Sequence, residues 1–69
     1  MTPPTEAQRR VLVQLSDGEW RFGYDLTKSG GVLAALYQRG YIRHGDFSGY
    51  LDANWTITPD GLAALEVAA

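Results

Sequence analysis

Apolar residues fall along this chain in short bursts, and the spacing within each burst predicts an element. Val11, Leu12 and Leu15 recur at the interval of one helical face, with Arg9 and Arg10 on the other side. "TEAQ" ahead of them reads as a capping box, Thr5 at the N-cap and Gln8 three residues on. The spacing predicts a first helix running to about Ser16, closed by Gly18. "WRF" alternates, which predicts a short strand with Trp20 and Phe22 on one side and Arg21 on the other. "YDLTKS" predicts a short second helix, and Gly31 to Arg39 a third, ended by Gly40. "YIRHG" and "NWTIT" read as two strands joined by a loop of about ten residues centred on Phe47 to Tyr50. Alternation puts Trp55 and Ile57 on one face. "TPDG" then starts a last helix, with Thr58 as N-cap, Pro59 at its first position and Asp60 in its first turn. Leu62 and Leu65 are its expected inner side, and Trp20, Leu33, Leu36 and Trp55 are expected core.

The order is therefore helix, strand, helix, helix, strand, strand, helix. The 69 residues have room for one domain, 1–69, in which residues 1–4 are expected to form a flexible tail. So small a core supplies a net stability of roughly 3–5 kcal/mol. Neither a disulfide nor a zinc site can be built without cysteine and with His44 as the single histidine. No apolar run approaches a membrane span and no signal-peptide pattern is present, so a cytoplasmic protein with no membrane partner is expected. No enzyme is expected either. Serine stands in no nucleophile-elbow context, and the carboxylates are scattered among caps and turns. No cofactor and no metal are implied.

Charge divides the chain. Between Leu26 and Gly45 stand Lys28, Arg39 and Arg43 with no carboxylate, while the rest sets three arginines against eight carboxylates. A cationic middle is the kind of surface that meets phosphates.

"QRRVLVQL" (8–15), "GYDL" (23–26), "LAALYQRGYI" (33–42) and "WTITPDGLAALE" (55–66) come in the order of a known arrangement. With these pieces the chain resembles the winged helix-turn-helix domains of MarR-like and PadR-like bacterial regulators. The resemblance implies an α+β small winged helix: a three-helix helix-turn-helix core, a β-hairpin wing and a short C-terminal helix. It also implies transcriptional regulation through double-stranded DNA. The third helix would enter the major groove and the hairpin at 41–57 would touch the flanking backbone. Lys28, Arg39 and Arg43 would hold phosphates, Gln38 would supply a base contact, and Ser29 and His44 would assist. Specific binding would call for a homodimer or larger assembly.

A second reading comes from the residues themselves. Placed at 100° intervals with Leu33 inward, the third helix turns Gly31, Ala34, Ala35 and Gln38 outward. Base reading uses Arg, Lys, Asn or Gln, and only Gln38 qualifies. A Gly/Ala face instead suits close approach by another protein, with Phe47 and Tyr50 as further contacts or as an extension of the small core. The two readings, DNA regulator and protein-interaction module, share one scaffold.

Overall fold

Thr5 and Gln8 close the expected capping box. Thr5 Oγ1 accepts the Gln8 N–H at 3.2 Å, and Gln8 Oε1 accepts the Thr5 N–H at 3.1 Å. In this computed structural model, which describes residues 3–68, the box starts α1 (Glu6–Gln14). Then follow β1 (Arg21–Phe22), α2 (Gly23–Leu26), α3 (Gly30–Gln38), β2 (Ile42–His44), β3 (Asn54–Ile57) and α4 (Pro59–Ala68). Of the expected tail, Met1 and Thr2 lie outside the described residues, and Pro3 and Pro4 precede α1 without regular structure.

The ends of the helices follow local chemistry. α1 stops two residues before Ser16 because its last turn tightens: the Leu15 N–H is shared between Val11 O and Leu12 O, and Ser16 N–H bonds Val13 O. Beyond α3, Gly40 takes φ 76°. Its N–H bonds Tyr37 O while the Tyr41 N–H reaches back to Leu36 O, the paired bonds of a Schellman cap. For α4, Thr58 Oγ1 accepts the Gly61 N–H at 3.1 Å and donates to Gly40 O at 2.6 Å. One hydroxyl thus caps α4 and ties it to the end of α3.

The three strands form an antiparallel sheet in the order β1-β3-β2. Ile42 pairs with Ile57, Arg43 with Thr56, His44 with Trp55, and Arg21 with Trp55 on the other side. Opposed residues share a face, so Ile42, His44, Trp55 and Ile57 lie together towards the helices. Trp55 is completely buried, as are Leu12 of α1, Leu15 just beyond its end, and Leu33 and Leu36 of α3. Each such Leu contributes about 1.5–3 kcal/mol on removal from water. Thr56 points the other way, and its hydroxyl bonds Gly18 O at 3.2 Å under the turn that follows α1.

Two expected core residues are outside. Trp20 is 47% exposed: β1 is only two residues long, and Trp20 lies before it, across the outer side of the sheet. Leu62 is 42% exposed because α4 turns Gly61 and Ala64 inward instead, with Leu65 half-buried. A Cβ on Gly61 would run into the Tyr41 carbonyl oxygen and Ile57 Cγ1. That close approach of α4 to the strands fixes its rotation and carries Leu62 into solvent.

Candidate interaction surfaces

The surface around α3 is set by Leu33 and Leu36, which pin one side of the helix in the core. Opposite them, Gly31 and Gln38 are exposed and Ala34 and Ala35 half-buried, as the 100° rule requires. No cation stands on this face.

One flank of α3 is aromatic. The Tyr37 ring lies 5.1 Å from His44 and 5.8 Å from Trp55. His44 also meets Phe47 at 4.9 Å, and Tyr50 stacks on Trp55 with the planes 7° apart. The Trp55 indole N–H donates to Tyr50 O at 2.7 Å, so the β2–β3 loop is laced to the sheet by its own rings and one strong hydrogen bond. Tyr50 extends the core, being partly buried against it. Phe47 does not: it is 48% exposed, and with Tyr37 at 42% it forms the open rim of the cluster. His44, expected near DNA, is instead held among these rings, with Nδ1 2.8 Å from Gly45 O. The alternation of Ile42 and His44 carried the signal for that placement.

The other flank holds Arg39. Its guanidinium donates to Gln8 Oε1 at 3.0 Å and Tyr41 Oη at 3.2 Å, and lies 4.6 Å over the Tyr41 ring. Arg39 therefore joins the end of α3 to the start of α1. Arg43 engages a different part of the fold, on the outer side of the sheet, 5.4 Å over the Trp20 ring. Lys28 is exposed in the bend before α3, next to Ser29. Ser29 occupies the N-cap position of α3 but gives it no side-chain hydrogen bond, and its own N–H bonds Thr27 Oγ1. Of the six expected DNA contacts, only Lys28 and Ser29 are neighbours in a free-standing turn.

Two further arginines pair locally. Arg10 meets Glu6 at 2.9 Å, and Arg21 meets Asp17 at 2.8 Å while its Nε donates to Gln14 O at 2.9 Å. The backbone N–H of Glu19 does most to hold the Asp17 carboxyl below its ordinary value; burial opposes it, and the Arg21 guanidinium lowers it further.

Sequence reasoning missed the outward set of Trp20, Phe22 and Tyr24, which are 47%, 39% and 56% exposed. Their strict alternation was visible, but not which side of the sheet it would face. Among the described residues no group of three His, Cys, Asp or Glu side chains could hold a metal ion. No helix among them is long and apolar enough to cross a membrane. Comparison with protein-family models, curated proteins and solved structures finds no match to this chain.

Proposed function

We propose that this chain is a winged helix, with α2 and α3 as the helix-turn-helix pair and the β2–β3 hairpin as the wing, used to dock on another protein. The observation that carries this reading is the outward face of α3: Gly31, Ala34, Ala35 and Gln38, without a cation and flanked by the exposed rims of Tyr37 and Phe47. Small side chains let a partner helix approach to an interaxial distance of about 8 Å. Tyr37 and Phe47 supply the large apolar contacts that anchor an interface. The cations are spread: Arg39 is tied to α1, Arg43 lies on the outer sheet and Arg21 pairs with Asp17. A base reader would draw about 1–3 kcal/mol of discrimination from each bidentate side chain, and Gln38 is the single residue on this face able to offer one. The partner best suited to the surface is an amphipathic helix of another protein.

A second reading, double-stranded DNA as partner, has one observation in its favour. The N-terminus of α3 carries no side-chain cap and no acidic residue in its first turn, and Lys28 and Ser29 stand beside it. Phosphate oxygens are bound at such helix starts, so contact there would be to the DNA backbone and of low sequence specificity.

Site-specific photocrosslinking separates the two. A benzophenone side chain in place of Ala35, with the same probe at Leu62 as control, is irradiated in cells and the adducts are analysed by mass spectrometry. The docking reading expects protein adducts at position 35, traced to a helix of one partner, and none at position 62. Nucleic-acid adducts at position 35, together with salt-sensitive amide shifts of Lys28–Gly31 on addition of random duplex DNA, would replace it with the DNA reading.

A further inference from the structure

The residue before β1, β1 itself and the start of α2 set three rings outward at alternate positions, Trp20, Phe22 and Tyr24. None of them belongs to the core. Phe22 and Tyr24 lie 5.8 Å apart, and Trp20 and Phe22 line a shallow open depression with Gln14, Arg21 and Asp25. A domain that has so little apolar area to bury leaves these rings in water, and a patch of this kind marks a contact site.

The charges beside the rings define what the contact accepts. Asp17 is matched by Arg21, whose guanidinium is held between that carboxylate and Gln14 O. Glu19 and Asp25 are exposed and form no ion pair among the described residues. The patch thus combines aromatic faces with unmatched carboxylates, and both attract a cation: the ring through its quadrupole, the carboxylate through its charge. Trp20 already receives one guanidinium, that of Arg43, from the β2 side. In addition, β1 is an edge strand: the order β1-β3-β2 gives it a strand neighbour on one side only. An extended chain can lie along such an edge.

We propose that the β1 rim, through Trp20, Phe22, Glu19 and Asp25, binds a lysine- or arginine-bearing extended segment of a partner protein. The site is separate in its residues from the α3 face and does not depend on how that face is used. Single-stranded nucleic acid also stacks on exposed rings, but it is held by grooves of positive charge, and Glu19 and Asp25 repel its phosphates.

The test is an amide and indole NMR titration of the full chain with octa-arginine, octa-lysine and octa-glutamate peptides and with an eight-residue oligothymidine, each at low and moderate salt. The expected result is movement of the Trp20 indole N–H and of the amides of residues 19–25 with the two basic peptides, weakening as salt rises, while the Trp55 indole stays still. Replacing both carboxylates, Glu19→Gln with Asp25→Asn, should weaken octa-arginine by about five-fold, as two exposed ion contacts would. The pair Asp52→Asn with Glu66→Gln should leave it unchanged, and the unperturbed remainder of each spectrum reports that the fold is retained. Three outcomes overturn the proposal. They are shifts spread equally over Asp46, Asp52 and Asp60, an unaltered affinity in the Glu19/Asp25 variant, and tighter binding of oligothymidine than of octa-arginine at the same residues.

Discussion

Gly23→Ala and Gly31→Ala make the same chemical change at the start of two helices, and the structure predicts opposite effects. Neither glycine has a positive φ, so alanine meets no backbone strain at either position. In a helix it gains about 0.5–1 kcal/mol over glycine by lowering the entropy lost on folding. At Gly31 a new Cβ finds only Ser29 Oγ, at 3.7 Å, an ordinary contact. The full gain should appear, raising the melting temperature by roughly 2–8 °C at the scale of about 4–8 °C per kcal/mol for a domain this size. At Gly23 the Cβ would sit 2.6 Å from Tyr50 O, 2.7 Å from Leu51 O and 2.8 Å from Leu51 Cα. All three are backbone atoms and cannot swing aside as a side-chain tip would. The same backbone is also bound to this turn: the Gly23 N–H donates to Ala53 O at 2.9 Å and the Tyr24 N–H to Leu51 O at 3.1 Å. Overpacking typically costs about 1–3 kcal/mol, and here the upper part of that range applies, leaving a net loss of about 2 kcal/mol. Against a total of roughly 3–5 kcal/mol for so small a chain, that is close to half. Urea and thermal unfolding followed by far-ultraviolet circular dichroism measure both variants. A Gly23→Ala protein as stable as the parent, or more so, would refute the steric reasoning, since the clash would then cost no more than the helix-propensity gain.

Two further outcomes rest on polar contacts. Arg39→Gln removes the donors to Gln8 and Tyr41 and the guanidinium above the Tyr41 ring, and should lower stability in urea by about 1–2 kcal/mol. Arg39→Lys should recover less than half of this, because an ammonium lacks the planar fork. Asp17 gives a pH signature. Its folded carboxyl ionises below the ordinary value of 3.8, so the stabilisation it brings is present above that value and is lost as pH falls through the folded one. Asp17→Asn should therefore flatten the most acidic part of the stability–pH curve and leave its slope at neutral pH unchanged, measured by urea midpoints across the acid range.

Local chemistry was the legible part of this sequence. The capping box at Thr5, the Thr58–Pro59 helix start and the glycine stops at Gly18 and Gly40 depend on neighbours within a few residues, and each stands where its residues put it. Alternation likewise placed Trp55 and Ile57 on the buried side. What could not be read depends on distant partners. Leu62 and Gly61 compete for the inner side of α4, and the choice falls to the Tyr41 carbonyl, twenty residues earlier. Arg39 looked like a free cation because its acceptor, Gln8, lies 31 positions away. Trp20 and Phe22 alternate like core residues, yet a strand of two residues gives them no second layer to enter. For the candidate surface, the bare outer side of α3 was legible from spacing alone, whereas the engagement of Arg39, Arg43 and His44 by their neighbours was not.

The strand order carries a consequence for how the chain can fold. The central strand of the sheet is the last to be synthesised, and the two strands that precede it do not pair with each other. Arg21 must wait for Trp55, and Ile42 for Ile57. Until Asn54–Ile57 is available, β1 and β2 have no ladder to join, and Trp55, the largest buried side chain, is missing from the core. Closing contacts between such distant positions slows folding relative to helical domains of the same size. The sheet therefore cannot assemble progressively as the chain grows. Both of its ladders wait for β3, the strand that pairs with each neighbour.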